Sequence, residues 1–173
     1  KHETADGMIR LHKVKGKLYF EFPVALLGRD MLLGSTVSEI SDNGDAVIGS
    51  KPTDPLWIQF TRTGDKVQVR KLVRDNVSPN IARSLANNNI GAIIKSYDIA
   101  AWSPDSCAVV FNATDLFLSD NKALTPFDPY GENLYYGRVT RSASYQSDKS
   151  FLGEIRAFED NVVIRSHLSY TYT

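Results

Sequence analysis

Apolar and polar residues alternate with a period of two along much of this chain. In "MIRLHKV" and the "LYFEF" that follows it, Leu18, Phe20 and Phe22 fall on every second position. "LWIQFTR" and "KVQVRKL" repeat the arrangement, with Leu56, Ile58 and Phe60 in line, and "IIKSYDIAAW" with "CAVVFNA" makes a third pair. Successive side chains of a β-strand point to opposite faces, so this spacing predicts half-buried strands. The pairs are separated by Lys15-Gly16-Lys17, Thr63-Gly64-Asp65 and Ser103-Pro104-Asp105-Ser106. Short turns of Gly, Pro, Asp and Ser between alternating runs predict antiparallel hairpins. "DMLLGSTVSEI" predicts one more strand. "NVVIRSHLSYTYT" predicts a terminal strand of the same sheet, with Val162, Ile164, Leu168 and Tyr170 turned to the core and His167 turned away. The total is about eight strands.

Two segments carry helical spacing. In "SPNIARSLANNN" (residues 78–89), Ser78 suits the cap, Pro79 the first helical position, and Ile81, Ala82 and Leu85 form an apolar stripe. In "SDKSFLGEIRAFED" (147–160), Phe151, Leu152, Ile155 and Phe158 fit one buried helix face. "PVALLGRD" and "TDLFLSD" read as single turns between strands. Residues 41–55 and 119–137 are loops rich in Gly, Pro and Asp. Strand or helix signals resume directly after each, so neither reads as a linker. The expectation is one α+β domain over residues 1–173, predominantly antiparallel sheet with two short helices.

Composition narrows the function classes. Twenty basic residues balance twenty acidic ones, and no basic block stands out, so nucleic acid is not an expected partner. No apolar run approaches the roughly 20 residues of a membrane-spanning helix. The one cysteine, Cys107, permits no intrachain disulfide. Its neighbours in "CAVVFNA" predict an inert core or strand thiol rather than a nucleophile.

Catalytic signatures are absent from the sequence. His2, His12 and His167 are far apart, and the HExxH spacing that places two imidazoles on one helical turn does not occur. His12 and His167 each share a predicted strand face with an arginine (Arg10, Arg165), which reads as solvated surface rather than a shared metal. There is no G-x-S-x-G elbow and no Gly-rich phosphate loop. Asp42-Asn43-Gly44-Asp45 lacks the calcium-loop spacing and reads as a turn. One cluster is suited to recognition. Phe127, Tyr130, Tyr135 and Tyr136 lie within a Pro- and Gly-containing loop, where tyrosine offers contact area with a polar handle. The competing reading is that these rings anchor the loop onto the sheet.

The order of elements carries a resemblance. "GMIRLHKVKGKLYFEFPVALLGRDMLL", "WIQFTRTGDKVQVRKLV", "SYDIAAWSPDSCAVVFNATDLFLSD" and "DKSFLGEIRAFEDNVVIRSHLSY" together resemble the domain of unknown function that precedes the catalytic domain in bacterial zinc-dependent metalloproteases, common among Bacteroidetes. The elements that carry it are V-x-G-K-x-Y-F-E-x-P, L-L-G-R-D, T-D-L-F and F-x-x-x-I-R-x-F-x-x-N-V, which are structural rather than catalytic. The resemblance implies a fragment of an exported multidomain protein, periplasmic, outer-membrane-associated or secreted. Its HExxH zinc site would lie downstream, so no catalytic or zinc-binding residue is expected in this chain. The implied function is a non-catalytic accessory domain whose partner is the protease domain of the same chain. The alternative is an independent peptide- or glycan-binding module using the 119–137 aromatic loop.

Overall fold

The alternating runs form strands where the spacing predicts them. The structure is a computed structural model and describes residues 1–41, 47–73, 90–121, 123–124 and 143–172. Eight strands make one sheet: β1 (His2–Ala5), β2 (Arg10–Val14), β3 (Lys17–Pro23), β4 (Met31–Leu33), β5 (Leu56–Thr63), β6 (Lys66–Leu72), β7 (Ala92–Trp102) and β8 (Ala108–Asn112). Their order is β1-β2-β3-β8-β7-β6-β5-β4, and every neighbouring pair is antiparallel. The chain crosses from β3 to the far edge, then returns strand by strand until β8 pairs with β3.

All three expected hairpins are present. Val14 pairs with Lys17 across Lys15-Gly16, and both turn residues have positive φ, 50° and 77°. That is the combination a two-residue turn needs to match the twist of its strands, and Gly16 adopts it without a Cβ clash. Thr63 pairs with Lys66 across Gly64-Asp65, with Gly64 at φ 58°. In the third, the Asp105 carboxylate accepts from the Ser103 hydroxyl at 2.5 Å and from the Cys107 N–H at 3.1 Å. "DMLLGSTVSEI" contributes only the three residues of β4.

The sheet curls, and its core proves it. β3 and β5 are four places apart in the strand order. At about 4.8 Å per strand a flat sheet would hold them roughly 19 Å apart. Yet the Phe22 and Phe60 ring centroids are 4.7 Å apart, and Phe20 and Phe60 are 6.2 Å apart. Phe111 of β8 touches Phe20, Phe22, Phe60 and Tyr97. Leu11, Leu18, Val67, Val69, Val109 and Ile58 are buried with this aromatic centre. The Gly28 N–H donates to the Phe60 carbonyl at 2.8 Å, tying the chain beyond β3 to the backbone of β5. Two register shifts in β7 supply the bend. Val69 and Arg70 face Lys95 and Ile93, leaving Ile94 extra, and Phe111 and Val110 face Ile99 and Ala101, leaving Ala100 extra. Each extra residue bends the strand and increases its twist.

Helix is scarce among the described residues: one short helix, α1 (Thr114–Phe117), and 3-10 turns at Val24–Leu26 and Ser147–Lys149. The first two coincide with the single turns read from "TDLFLSD" and "PVALLGRD". The expected helix at 78–89 lies outside the described residues. The expected helix at 147–160 is corrected. Its residues enter β10 (Phe151–Ala157), which pairs with β11 (Val162–His167). Leu152 and Ile155 are buried, but Phe151 and Phe158 are exposed. Gly153 costs a helix interior about 1 kcal/mol relative to Ala. As a strand residue, Gly153 leaves room for close neighbours: a Cβ there would lie 2.9 Å from His167 Nε2 and 3.2 Å from Arg165 carbons. The Phe158 N–H donates to the Asn161 carbonyl at 2.8 Å and closes the turn. An alternating partner immediately downstream decides the segment in favour of strand.

The terminal strand is corrected as well. It does not join the eight-stranded sheet but divides into β11 and β12 (Tyr170–Tyr172), and β12 pairs with β9 (Ala143–Tyr145). Val162, Ile164, Leu168 and Tyr170 are half-buried rather than core residues. The alternation itself holds, with Val163 and Arg165 exposed between them. The break falls at Leu168-Ser169, where the Ser169 N–H donates to the Ser150 hydroxyl and the Ser169 hydroxyl to the Lys149 carbonyl.

The chain divides into two compact units. One comprises residues 1–33, 55–113 and 155–163 and contains the curled sheet; the other comprises 34–54, 114–154 and 164–173 and contains the β9-β12 pair. Within the second, Ser35 and Thr53 donate to the carbonyls of Leu124 and Ala123, and Val37 is buried.

Candidate functional site

Pairing of β1, β2 and β3 decides which side chains meet on their outer face. Leu11, Leu18 and Phe20 point into the core, so Arg10, His12, Tyr19 and Glu21 point out. Thr4 lies directly opposite His12 in β1, and His2 shares that face two residues away. The loop joining β1 to β2 is held by its backbone. The Met8 N–H donates to the Phe158 carbonyl at 2.6 Å, and a Cβ on Gly7 would fall 2.6 Å from both N and O of Phe158. Only glycine permits that approach.

The result is a compact polar cluster. His2 Nε2 stands 3.1 Å from His12 Nδ1, and Thr4 Oγ1 is 3.2 Å from the first and 3.1 Å from the second. Behind them, His12 Nε2 faces Glu21 Oε2 at 3.7 Å, and Arg10 Nη1 reaches the same oxygen at 3.7 Å. Arg10 also pairs with Asp6 through its Nε. His12 and Glu21 are about four-fifths covered, whereas His2 and Thr4 are exposed. Two imidazoles this close share at most one proton between the facing nitrogens, or offer both lone pairs to a third body.

The sequence keeps His2 and His12 ten residues apart, and no local motif joins them. Only the β1–β2 register brings them together. The available signal was slight: each sits five residues from Gly7 in the loop between them, and no apolar alternation marks β1 in the sequence. His167 stacks on Phe151 with centroids 4.4 Å apart and planes at 11°, so it is half-buried rather than turned away as expected. Arg165, two residues earlier, reaches Glu39 at 3.6 Å.

Cys107 is also corrected. It is exposed, in the bend before β8 rather than inside the strand, and its thiol faces the Asp105 carbonyl at 3.6 Å. The same turn holds the Asp105 carboxyl below its ordinary value, chiefly through the Ser103 hydroxyl and then the Cys107 N–H. Phe127, Tyr130, Tyr135, Tyr136 and the Asp42–Asp45 turn lie outside the described residues. Among the described residues no three of His, Cys, Asp and Glu converge as a metal-binding group, and no helix is long and apolar enough to cross a membrane.

The elements that carry the family resemblance have structural roles. Gly16 and Lys17 form the first hairpin, and Phe20 and Phe22 fill the core. Gly28 has φ 78° and bonds to β5, while Asp30 accepts from the Gln59 amide at 2.7 Å. Leu116 of the T-D-L-F turn is buried. Ile155 is buried, and Asn161 closes the β10–β11 turn.

No curated protein and no solved structure matches the chain. Residues 1–40 match a family described as a domain of unknown function, DUF5118. Residues 49–173, well over half of the chain, match a second domain of unknown function, and the chain therefore belongs to the DUF5117 family.

Proposed function

We propose that this chain is a non-catalytic accessory domain of an exported bacterial zinc-dependent metalloprotease, packed against a catalytic domain that carries HExxH elsewhere in a longer protein. One observation carries the reading. Most residues through which the chain resembles that family serve as core, turn or hairpin closure, and Glu21 is the one that joins the polar cluster, behind His12. Phe20, Phe22, Gly28, Leu116, Ile155 and Asn161 build a framework. A domain whose recognisable features are framework is suited to positioning a neighbour. Its partner is then the protease domain of the same chain, and its place is outside the cytoplasm.

Peptidase assays test this directly. The purified chain should leave casein and unfolded protein substrates intact, with or without added zinc. A longer form containing the HExxH domain should cleave them, and removing residues 1–173 should lower its turnover or its stability. Cleavage by the isolated chain that is abolished by a chelator would overturn the proposal, as would a reading frame with no HExxH.

A further inference from the structure

The geometry points to His2, His12 and Thr4 as a chelating site for a divalent late transition-metal ion. Three donor atoms form a triangle with sides of 3.1, 3.1 and 3.2 Å: His2 Nε2, His12 Nδ1 and Thr4 Oγ1. Ligands about 2.0–2.1 Å from a zinc-sized ion lie about 2.9 Å apart at a right angle and about 3.4 Å apart at the tetrahedral angle. The observed sides fall between those limits, so one ion can touch all three donors with little movement of the side chains. Two imidazoles are borderline donors suited to copper, nickel or zinc, and a single hydroxyl oxygen beside them is too few oxygen ligands for calcium or magnesium. Water would complete the coordination, because His2 and Thr4 are exposed.

The surroundings fit the same reading. A metal-bound imidazole commonly turns its other nitrogen to a carboxylate, which fixes the ring and raises its basicity. Here Nδ1 of His12 faces His2 while Nε2 faces the Glu21 carboxylate at 3.7 Å. Glu21 is in turn held by Arg10. Glu21 is a positioning residue and touches no donor of the triangle other than through His12. The site is prebuilt because β1, β2 and β3 are hydrogen-bonded neighbours whose register places Thr4 opposite His12 and Arg10 opposite Glu21. An ion at this point would clamp the edge strand β1 to β2 and raise the melting temperature as metal is added.

Calorimetric titration of the full chain with Cu²⁺, Ni²⁺ and Zn²⁺ is the test, with Mg²⁺ and Ca²⁺ as controls. One ion per chain should bind, with copper tightest, as the Irving–Williams order requires, and the controls should give no heat. His2→Ala and His12→Ala should each weaken binding at least tenfold, while His167→Ala leaves it unchanged. Glu21→Gln should weaken it about tenfold, the lower end of second-sphere effects, and circular dichroism should show each variant folded. The copper spectrum should report two nitrogen ligands and lose one in either histidine variant. Binding that survives His12→Ala but not His2→Ala would assign the ion to His2 without His12 and overturn the site. Absence of saturable binding would overturn it too, and so would binding indifferent to both substitutions.

Discussion

The curl of the eight-stranded sheet can be tested through Phe22 and Phe60. These residues are four strands apart in the hydrogen-bonded order, yet their ring centroids are 4.7 Å apart at an interplanar angle of 37°. Replacing each with Leu, singly and together, gives a double-mutant cycle that reads the contact itself. Each single change should cost within the ~0.5–3 kcal/mol range of core substitutions. Leu rather than Ala keeps the double variant folded, since two truncations at about 3–5 kcal/mol each would approach the whole stability of a domain. An aromatic pair in contact couples by about 0.5–1.5 kcal/mol beyond its buried area. Residues held some 19 Å apart, as a flat sheet would hold these, add to within about 0.3–0.5 kcal/mol. Urea denaturation of the four proteins, with equal slopes, supplies the numbers. A coupling above that additive limit supports closure of the sheet over its core. Strict additivity would refute the curled arrangement, whatever the individual costs.

Glycine substitutions should separate backbone crowding from backbone conformation. Gly7→Ala drives a Cβ to 2.6 Å from the Phe158 backbone, and the forced shift should cost about 1–3 kcal/mol in the urea midpoint. Gly16→Ala meets nothing within 4 Å but sits at φ 77°, so its cost should be the smaller ~1–2 kcal/mol of a left-handed residue. Phe158→Ala should lower stability by well under the ~3–5 kcal/mol of a buried ring, because Phe158 is 46% exposed; a loss that large would restore the helical reading. Cys107 should react with a thiol reagent in the native state as fast as in urea, since its side chain is exposed. Asp105 should titrate below the ordinary carboxylate value of 3.8 by NMR, and Ser103→Ala should move it upward. With its folded value depressed, the favourable contribution of Asp105 is present above the unfolded carboxylate range and is lost as pH falls through the folded value.

The local layer is legible in the sequence. Alternation at Leu18-Phe20-Phe22 and Leu56-Ile58-Phe60, with Gly16 and Gly64 between the runs, specified strands, faces and hairpins, because side-chain period and turn conformation are set by a few adjacent residues. It also specified the dominance of antiparallel sheet. It misled where one spacing serves two structures. Phe151, Leu152, Ile155 and Phe158 fit a helix face, and only the partner strand at Val162–His167 made them a hairpin. The terminal alternation was right in period but silent on partner, and the chain split it between β10 and β9. Tertiary structure alone decided three things: the crossing from β3 to β4, the closure that brings Phe22 to Phe60, and the meeting of His2 with His12. Each joins residues distant along the chain or in the strand order, and their proximity comes from register and bulges summed over several strands. A pattern read one segment at a time carries the face of each residue, but not the partner waiting on that face.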